Sequence, residues 1–488
     1  MDHAGEKTLK VLHITAECAP FSKVGGLADV AGSLPPALAA LGIDARILTP
    51  SWPGVPERLR DLGKPIIPLP RDVAASLDWK VVRGTLSRTE TGNSPVYLLD
   101  QPELFSNPKI YPDKLDVASF EPFAFLSLAG LDLGNATGWT PDVIHVHDWP
   151  TCMLPAALKW RRHSRNLKNR YSTVLTIHNL AHQGILPGHA LDSLGFPYDA
   201  FTIESLEFYG NLNMLKGGII ASDAVTTVSP TYAGEIRTKQ YGEKLEGVLQ
   251  ANAHKVKGVI NGLDQKYWNP ATDEHLPAAY DANNPEGKNA CRKALLEQAR
   301  WDDDGFPIFA SVGRLATQKG LDILLEALPG ILRDGRLVII GSGDPLLETA
   351  LKEAQAKFPE RIYSRIGFDE PLAHLAYAGA DMFLMPSLFE PCGLSQMIAM
   401  RYGTVPVVRS TGGLVDTVPD AERGDGGLGF TFTRYLASDL EGAVRRARSM
   451  FRRPETWARL VQRCMRTDFS WARSAETYKG IYEGISKA

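Results

Sequence analysis

The sequence predicts an α/β fold built from two doubly wound domains with parallel sheets. Three observations carry this: length, rhythm and a repeat. The chain has 488 residues, which at roughly 100–200 residues per domain suits two to four domains better than one core. Short apolar runs alternate with longer amphipathic stretches, the strand–loop–helix rhythm of parallel sheets with helical crossovers. That rhythm restarts in the second half. One strand leads to Lys23-Val24-Gly25-Gly26-Leu27 and a helix ending at Gly42; another leads to Lys319-Gly320-Leu321 and a helix ending near Gly335.

Residues 10–15 (KVLHIT) read as the first strand. Residues 28–41 (ADVAGSLPPALAAL) read as a helix that tolerates Pro35 and Pro36 and stops at Gly42. Residues 45–49, 143–146, 173–177 and 224–228 are further short apolar runs, read as strands. Between 262 and 305 the rhythm fails. Asn269-Pro270, Asn283-Asn284-Pro285 and Asp302-Asp303-Asp304-Gly305 mark a hinge or linker. Strands follow at 307–312, 336–340, 382–385 and 405–408, with helices from 321 and over 346–357. Residues 454–485 read as a polar-faced helical stretch expected to pack across the domain junction.

Composition narrows the function. Hydrophobic residues are 44% and charged residues 22%, which excludes a disordered chain, a collagen and a coiled coil. Lys plus Arg number 53 against 56 Asp plus Glu, a net charge of −3 that lends nucleic-acid binding no support. The five cysteines are scattered with no Cys-x-x-Cys, which suits neither a disulfide framework nor a structural zinc site. The first nine residues, with Asp2, His3, Glu6 and Lys7, have no apolar core for a secretory signal. No run reaches 18 apolar residues. A cytoplasmic protein that spans no membrane is expected.

The chemically distinctive residues follow the strands, where ligands of open α/β sheets bind. Lys23 with Gly25 and Gly26 opens a helix, and reads as an anion site or as a tight turn with a surface lysine. Gly341-Ser342-Gly343 lacks the third glycine of a dinucleotide fingerprint, since Leu346 holds that place. It lines a mononucleotide pocket or only makes a turn. Arg314 and Lys319 are two cations in one strand-to-helix loop, able to grip a diphosphate or simply solvated. Glu390 stands in Phe389-Glu390-Pro391-Cys392-Gly393-Leu394, and position 398 is Ile, so no carboxylate pair is indicated there. Cys392 has no neighbouring cation to make it a nucleophile. Thr411, Gly412 and Gly413 open another helix. Alternation puts His145 and His147 on one strand face, as metal ligands or as hydrogen-bonded core histidines. Asp148 and His178, at strand ends, are the better cleft candidates.

Taken together these motifs resemble the bacterial glycogen synthases, the ADP-glucose-using branch of the glycogen and starch synthase family. The segments that carry the resemblance are Lys23 through Val30, His147-Asp148-Trp149, Thr176-Ile177-His178-Asn179, Leu215-Lys216-Gly217-Gly218, Val228 through Tyr232, Asn261 through Asp264, Arg314 through Gly320, Phe389 through Leu394 and Thr411 through Leu414. The resemblance implies two Rossmann-like domains facing a central cleft, the GT-B arrangement. Residues 1–258 would form the acceptor side, 259–465 the nucleotide-sugar side, and 466–488 a helix crossing back to the first domain. It implies retaining transfer of glucose from ADP-glucose to the non-reducing end of an α-1,4-glucan, without metal or other cofactor. Lys23, Gly25 and Gly26 would touch the diphosphate, with Gly341 and Gly343 nearby. Arg314 and Lys319 would hold the leaving phosphates. Glu390 and the backbone of Cys392, Gly393 and Leu394 would bind the sugar, helped by the Thr411–Gly413 loop. His178 would contact the glucose, and Asp148 would lie near the acceptor hydroxyl. Pro150, Phe368 and Pro122 depart from the family pattern. The rival readings are the same fold with UDP-glucose or another acceptor, a non-catalytic glucan-binding homologue, and a Rossmann oxidoreductase.

Overall fold

A computed structural model describes residues 8–77, 80–161, 164, 167, 170–424 and 426–486. The first seven residues, part of the segment read above for a leader, lie outside them. The chain forms two compact units. One takes the chain up to Val228, Ala233–Gly262 and the helix from Trp471; the other takes Leu263–Ser470 with Ser229–Tyr232.

The first unit contains β1 (Lys10–Ile14), β2 (Asp44–Pro50), β3 (Ile67–Pro68), β4 (Val73–Leu77), β5 (Lys80–Thr91), β6 (Ser94–Asp100), β7 (Val143–His147), β8 (Ser172–Ile177), β9 (Ile185–Pro187), β10 (Glu207–Phe208), β11 (Asn211–Asn213), β12 (Ala224–Thr227) and β13 (Val256–Gly258). Its main sheet runs β13-β12-β8-β7-β1-β2-β6-β5-β3. Pairing is parallel from β13 to β6 and antiparallel beyond. The parallel strands are apolar on both faces; β7 and β8 are buried at every residue, as a sheet covered on both sides requires. By contrast β5 alternates buried and exposed residues, so one of its faces meets water. Strand order reverses between β1 and β7, which makes the loops after them the ligand crevice of this sheet.

The second unit contains β14 (Ile308–Val312), β15 (Arg336–Gly341), β16 (Ile362–Ile366), β17 (Met382–Met385), β18 (Val405–Arg409) and β19 (Phe430–Phe432). Their order is β16-β15-β14-β17-β18-β19, all parallel. This is the doubly wound order 3-2-1-4-5-6, with its switch point between β14 and β17.

One segment differs from expectation. The stretch from 262 to 305 is no bare linker. It carries the helix Gly287–Ala299, whose Cys291, Leu295 and Leu296 are buried. The Asp and Asn residues that read as flexible punctuation make local turns instead. Asn269, Asp303 and Asp304 each accept a backbone N–H two residues on. Lys288 anchors the segment by donating to the carbonyls of Ala378, Ala380 and Tyr402 and to Thr404 Oγ1. The helix Val117–Thr137 is long and apolar enough by length and composition to cross a membrane. It packs on β4 and the helix Met153–Trp160, burying Phe120, Phe123, Phe125, Leu126 and Leu133.

Residues 454–485 form two helices, Pro454–Arg466 and Trp471–Ile485. The latter belongs to the first unit. Its Trp471, Ala475, Tyr478, Ile481 and Tyr482 join Val11, Leu34, Val143 and Val174 in one core cluster. Ser474 donates to the Ile260 carbonyl, and Ser172 to that of Ile485, both at 2.6 Å.

Candidate active site

At the β1 end the decisive residue is Glu17, which the sequence reading passed over. It is 2% exposed. Its Oε2 accepts the N–H groups of Val24 and Gly25, and its Oε1 accepts the Tyr111 hydroxyl at 3.0 Å. Burial raises its pKa, and these bonds oppose the rise. The N–H groups that open the helix Gly26–Ala40 thus hold an internal carboxylate. Gly25 is the N-cap, and a β-carbon there would meet nothing within 4 Å. Lys23 is exposed and pairs with Asp29 at 2.7 Å.

Asp148 ends β7 with φ +55° and ψ −175°, a region non-glycine residues rarely occupy. Its Oδ1 accepts the backbone N–H of His178 at 2.7 Å, joining the ends of β7 and β8. Burial pushes the Asp148 carboxyl up to about 8, and the nearby Glu17 adds to the rise. Burial thus favours the protonated carboxyl, while the N–H bonds it accepts from His178 and Asn179 favour the carboxylate.

Behind these strand ends lies a histidine cluster. His145 Nδ1 is 2.8 Å from the Tyr482 hydroxyl, and its Nε2 is 2.6 Å from Thr176 Oγ1. His147 Nε2 is 3.2 Å from His13 Nδ1, and His147 Nδ1 is 3.1 Å from His178 Nε2. His13, His145 and His147 present ligand atoms within 4.8 Å of one another, a grouping a metal could use. Both ring nitrogens of His145 and of His147 are engaged, so the donor set fits the hydrogen-bonded alternative better. Burial keeps the cluster neutral, holding His13 down at about 3 and His145 and His147 well below their ordinary value. His13 escaped the sequence reading because β1 is separated in sequence from β7, although they pair in register, His13 opposite His145.

In the second unit the switch point holds an ion pair. Lys319 Nζ donates to Glu390 Oε2 at 2.6 Å, and Ser387 Oγ donates to the same oxygen at 3.1 Å. The Glu390 side chain is 6% exposed and that of Lys319 28%. The two residues assigned by the sequence to phosphate and sugar thus hold each other. Arg314 is exposed, with its guanidinium donating to Gln318 Oε1 at 3.0 Å. The loops after β14 and β15 are laced together. Leu315 N–H donates to the Ser342 carbonyl, and Asp344 N–H to that of Leu315. Gly341, at φ +156°, lies so close that a β-carbon would stand 1.8 Å from the Gly313 oxygen. Packing alone therefore accounts for a glycine there. A β-carbon on Gly343 would stand 2.3 Å from the Leu315 oxygen, and Gly343 N–H donates to Glu348.

The loop after β18 lies on the Glu390 turn. Gly413 N–H donates to the carbonyls of Glu390 and Pro391, so this group serves the loop contact and not an outside ligand. A β-carbon at Gly412 would stand 2.0 Å from the Glu390 oxygen. Thr411 and Cys392 are buried. Gln396 donates to the carbonyls of Cys392 and Gly393, fixing the turn that leads through Leu394 into the helix Ser395–Arg401. Phe368, just beyond β16, is 88% exposed.

Two doubly wound units of this kind define a glycosyltransferase of the GT-B class. One carries a buried carboxyl held by the backbone N–H of a histidine, and the other a Lys–Glu pair near a loop arginine. The family described as starch synthase catalytic domain matches residues 10–251, and glycosyl transferases group 1 matches residues 306–447. The glycogen synthase of Anaeromyxobacter sp. (strain Fw109-5) is 43% identical over 485 residues, spanning 98% of this chain and 100% of its own. That of Geobacillus stearothermophilus is 42% identical over 489 residues, with 98% of each chain covered. The catalytic domain of starch synthase IV from Arabidopsis thaliana, bound to ADP and acarbose, matches with a TM-score of 0.90 and 32% identity over 98% of this chain and 99% of that one. A sucrose-phosphate synthase from Thermosynechococcus elongatus, 18% identical with a TM-score of 0.61 and 98% of each chain covered, shares the fold. The chain belongs to the glycogen synthase family.

Proposed function

We propose that this chain transfers glucose from ADP-glucose to the non-reducing end of an α-1,4-glucan, with retention at the anomeric carbon. The observation that carries this is the 43% identity to a glycogen synthase over 98% of this chain and the whole of that one. The ADP and acarbose bound to the starch synthase neighbour support an adenosine-diphosphate sugar donor and a glucan acceptor. In this reading the unit built on β1–β13 serves the acceptor, and the unit built on β14–β19 serves the nucleotide sugar.

The Arg314 fork and the Lys319 ammonium stabilise charge as it develops on the departing diphosphate. Groups already in place act most strongly there, because nothing must reorganise during reaction. The Glu390 carboxylate keeps Lys319 oriented through Oε2 and offers Oε1 to a donor-sugar hydroxyl, beside the Cys392–Gly393–Leu394 backbone. His178 contacts the glucose. Asp148 hydrogen-bonds near the acceptor hydroxyl. Lys23 and the Gly25–Gly26 turn meet the diphosphate.

The test incubates the protein with glycogen and either ADP-glucose or UDP-glucose, with and without EDTA, and measures released nucleoside diphosphate. Faster release from ADP-glucose that survives EDTA is expected. A UDP-glucose preference overturns the donor assignment, loss with EDTA overturns the metal-free reading, and silence with both donors leaves a glucan-binding homologue.

A further inference from the structure

We propose that His13 and His147 are positioning residues that fix His178 as the tautomer protonated on Nδ1, so that it presents a hydrogen-bond donor to an oxygen of the bound sugar. This rests on the reading of His178 as the residue that touches the sugar.

The three rings form a chain: His13 Nδ1 to His147 Nε2 at 3.2 Å, then His147 Nδ1 to His178 Nε2 at 3.1 Å. Each neutral imidazole has one donor and one acceptor nitrogen, so the protons can be ordered in only two ways. In the first, His178 Nε2–H donates to His147, and His147 Nε2–H donates to His13. That places the His13 proton on Nε2, a fully buried atom with no partner. In the second, His13 Nδ1–H donates to His147, and His147 Nδ1–H donates to His178 Nε2. His13 Nε2 is then a bare lone pair. An orphaned buried N–H is rarer and more costly than an under-satisfied acceptor, so the second order wins. It obliges His178 to carry its proton on Nδ1.

His145 does not intrude, because both its nitrogens are engaged by Tyr482 and Thr176. The backbone of His178 is also held, its N–H donating to Asp148 Oδ1. A cation bound by His13, His145 and His147 would need a lone pair from each. Among the described residues of this cluster, only His13 Nε2 is uncommitted.

The deciding experiment is a long-range ¹⁵N–¹H correlation spectrum of the full chain labelled in histidine, with His178 assigned by its loss in His178→Gln. Nδ1 protonation of His178, His147 and His13 is expected. A proton on His178 Nε2 overturns the proposal without any variant having to fold. Kinetics supply a second arm. His13→Leu removes the first donor and should lower kcat about 10–100-fold, the scale for losing a residue that orients a ligand-bearing imidazole, with donor KM changed far less. His13→Asn restores an amide N–H near the Nδ1 position and should recover most of the loss. A folded His13→Leu with normal kcat overturns the proposal. If the tautomer is as stated yet His178→Gln keeps full turnover, the relay stands and the sugar contact fails.

Discussion

Replacing Lys319 by alanine removes the cation 2.6 Å from Glu390 Oε2 and leaves a carboxylate whose side chain is 6% exposed with Ser387 as its remaining side-chain partner. Removing one member of a buried pair costs about 3–5 kcal/mol, because the other charge stays desolvated. Exposed pairs are worth about 0–1 kcal/mol. Lys319 is 28% exposed, so water reaches one side of this pair, and the loss should fall between these limits, at about 2–3 kcal/mol. Turnover should also drop by about 10²–10³-fold, the scale for one preorganised transition-state donor. The assay is urea unfolding followed by circular dichroism, paired with diphosphate release. Lys319→Ala/Glu390→Gln supplies the control, since a neutral amide leaves no buried charge. It should regain at least about 1 kcal/mol over the single variant while staying inactive. A single variant as stable as the parent, or a double variant no more stable than the single, refutes the reasoning.

Arg314→Ala should lose turnover on the same scale, about 10²–10³-fold. Its stability should stay within about 0.5 kcal/mol, because the guanidinium is exposed; a larger loss in urea would contradict a purely ligand-facing role. Acid should destabilise the first unit steeply. His13 has a folded pKa of about 3, and His145 and His147 also lie well below the ordinary value of roughly 6.5, so the folded state binds fewer protons. Their contribution is complete above that pH and is lost as pH falls, by about 1.4 kcal/mol per pH unit for each histidine. Asp148 acts oppositely: its contribution is full below about 4 and is lost as pH rises through about 8. The urea midpoint should therefore peak near neutrality, and a flat midpoint from pH 7 to pH 5 would count against the neutral cluster. Gly341→Ala should cost about 3 kcal/mol or more, since both its positive φ and the Gly313 oxygen at 1.8 Å forbid a β-carbon. Normal urea resistance in that variant would show the two loops are not laced as described.

The α/β class was legible because parallel strands buried on both faces must read as short apolar runs. Val143-Ile144-His145-Val146 and Met382-Phe383-Leu384-Met385 did so within a residue of their observed bounds. The β5–β6 ribbon was not legible, since a strand such as KVVRGTLSRTET has one wet face and no continuous apolar signal. The segment after Gly262 misled for the opposite reason. Its Asp and Asn residues are turn formers, and turn formers look the same whether a segment is slack or wrapped tightly on a core. At the candidate site, Lys319 and Glu390 stood out singly, yet their direct pairing joins residues 71 positions apart. Glu17 was readable in principle: an acidic residue shortly after a strand and just before a glycine turn can cap that turn from within. The His13 contact had no local signal at all, because register between β1 and β7 exists only in the folded sheet.

The placement of the helix Trp471–Ile485 in the first unit also bears on how the protein is made. The ribosome releases β1 to β13 early, but the residues that finish their core, Trp471, Tyr478 and Tyr482, emerge only after the whole second unit. At about 5–20 residues per second, those roughly 200 intervening residues take about 10–40 s. Throughout that interval the face formed by Val11, Leu34 and Val174 lacks its cover. The first-synthesised unit is thus the last to be completed. A nascent chain stalled at Gly262 should be the species that chaperones hold and proteases find, while one released past Ile485 should resist both.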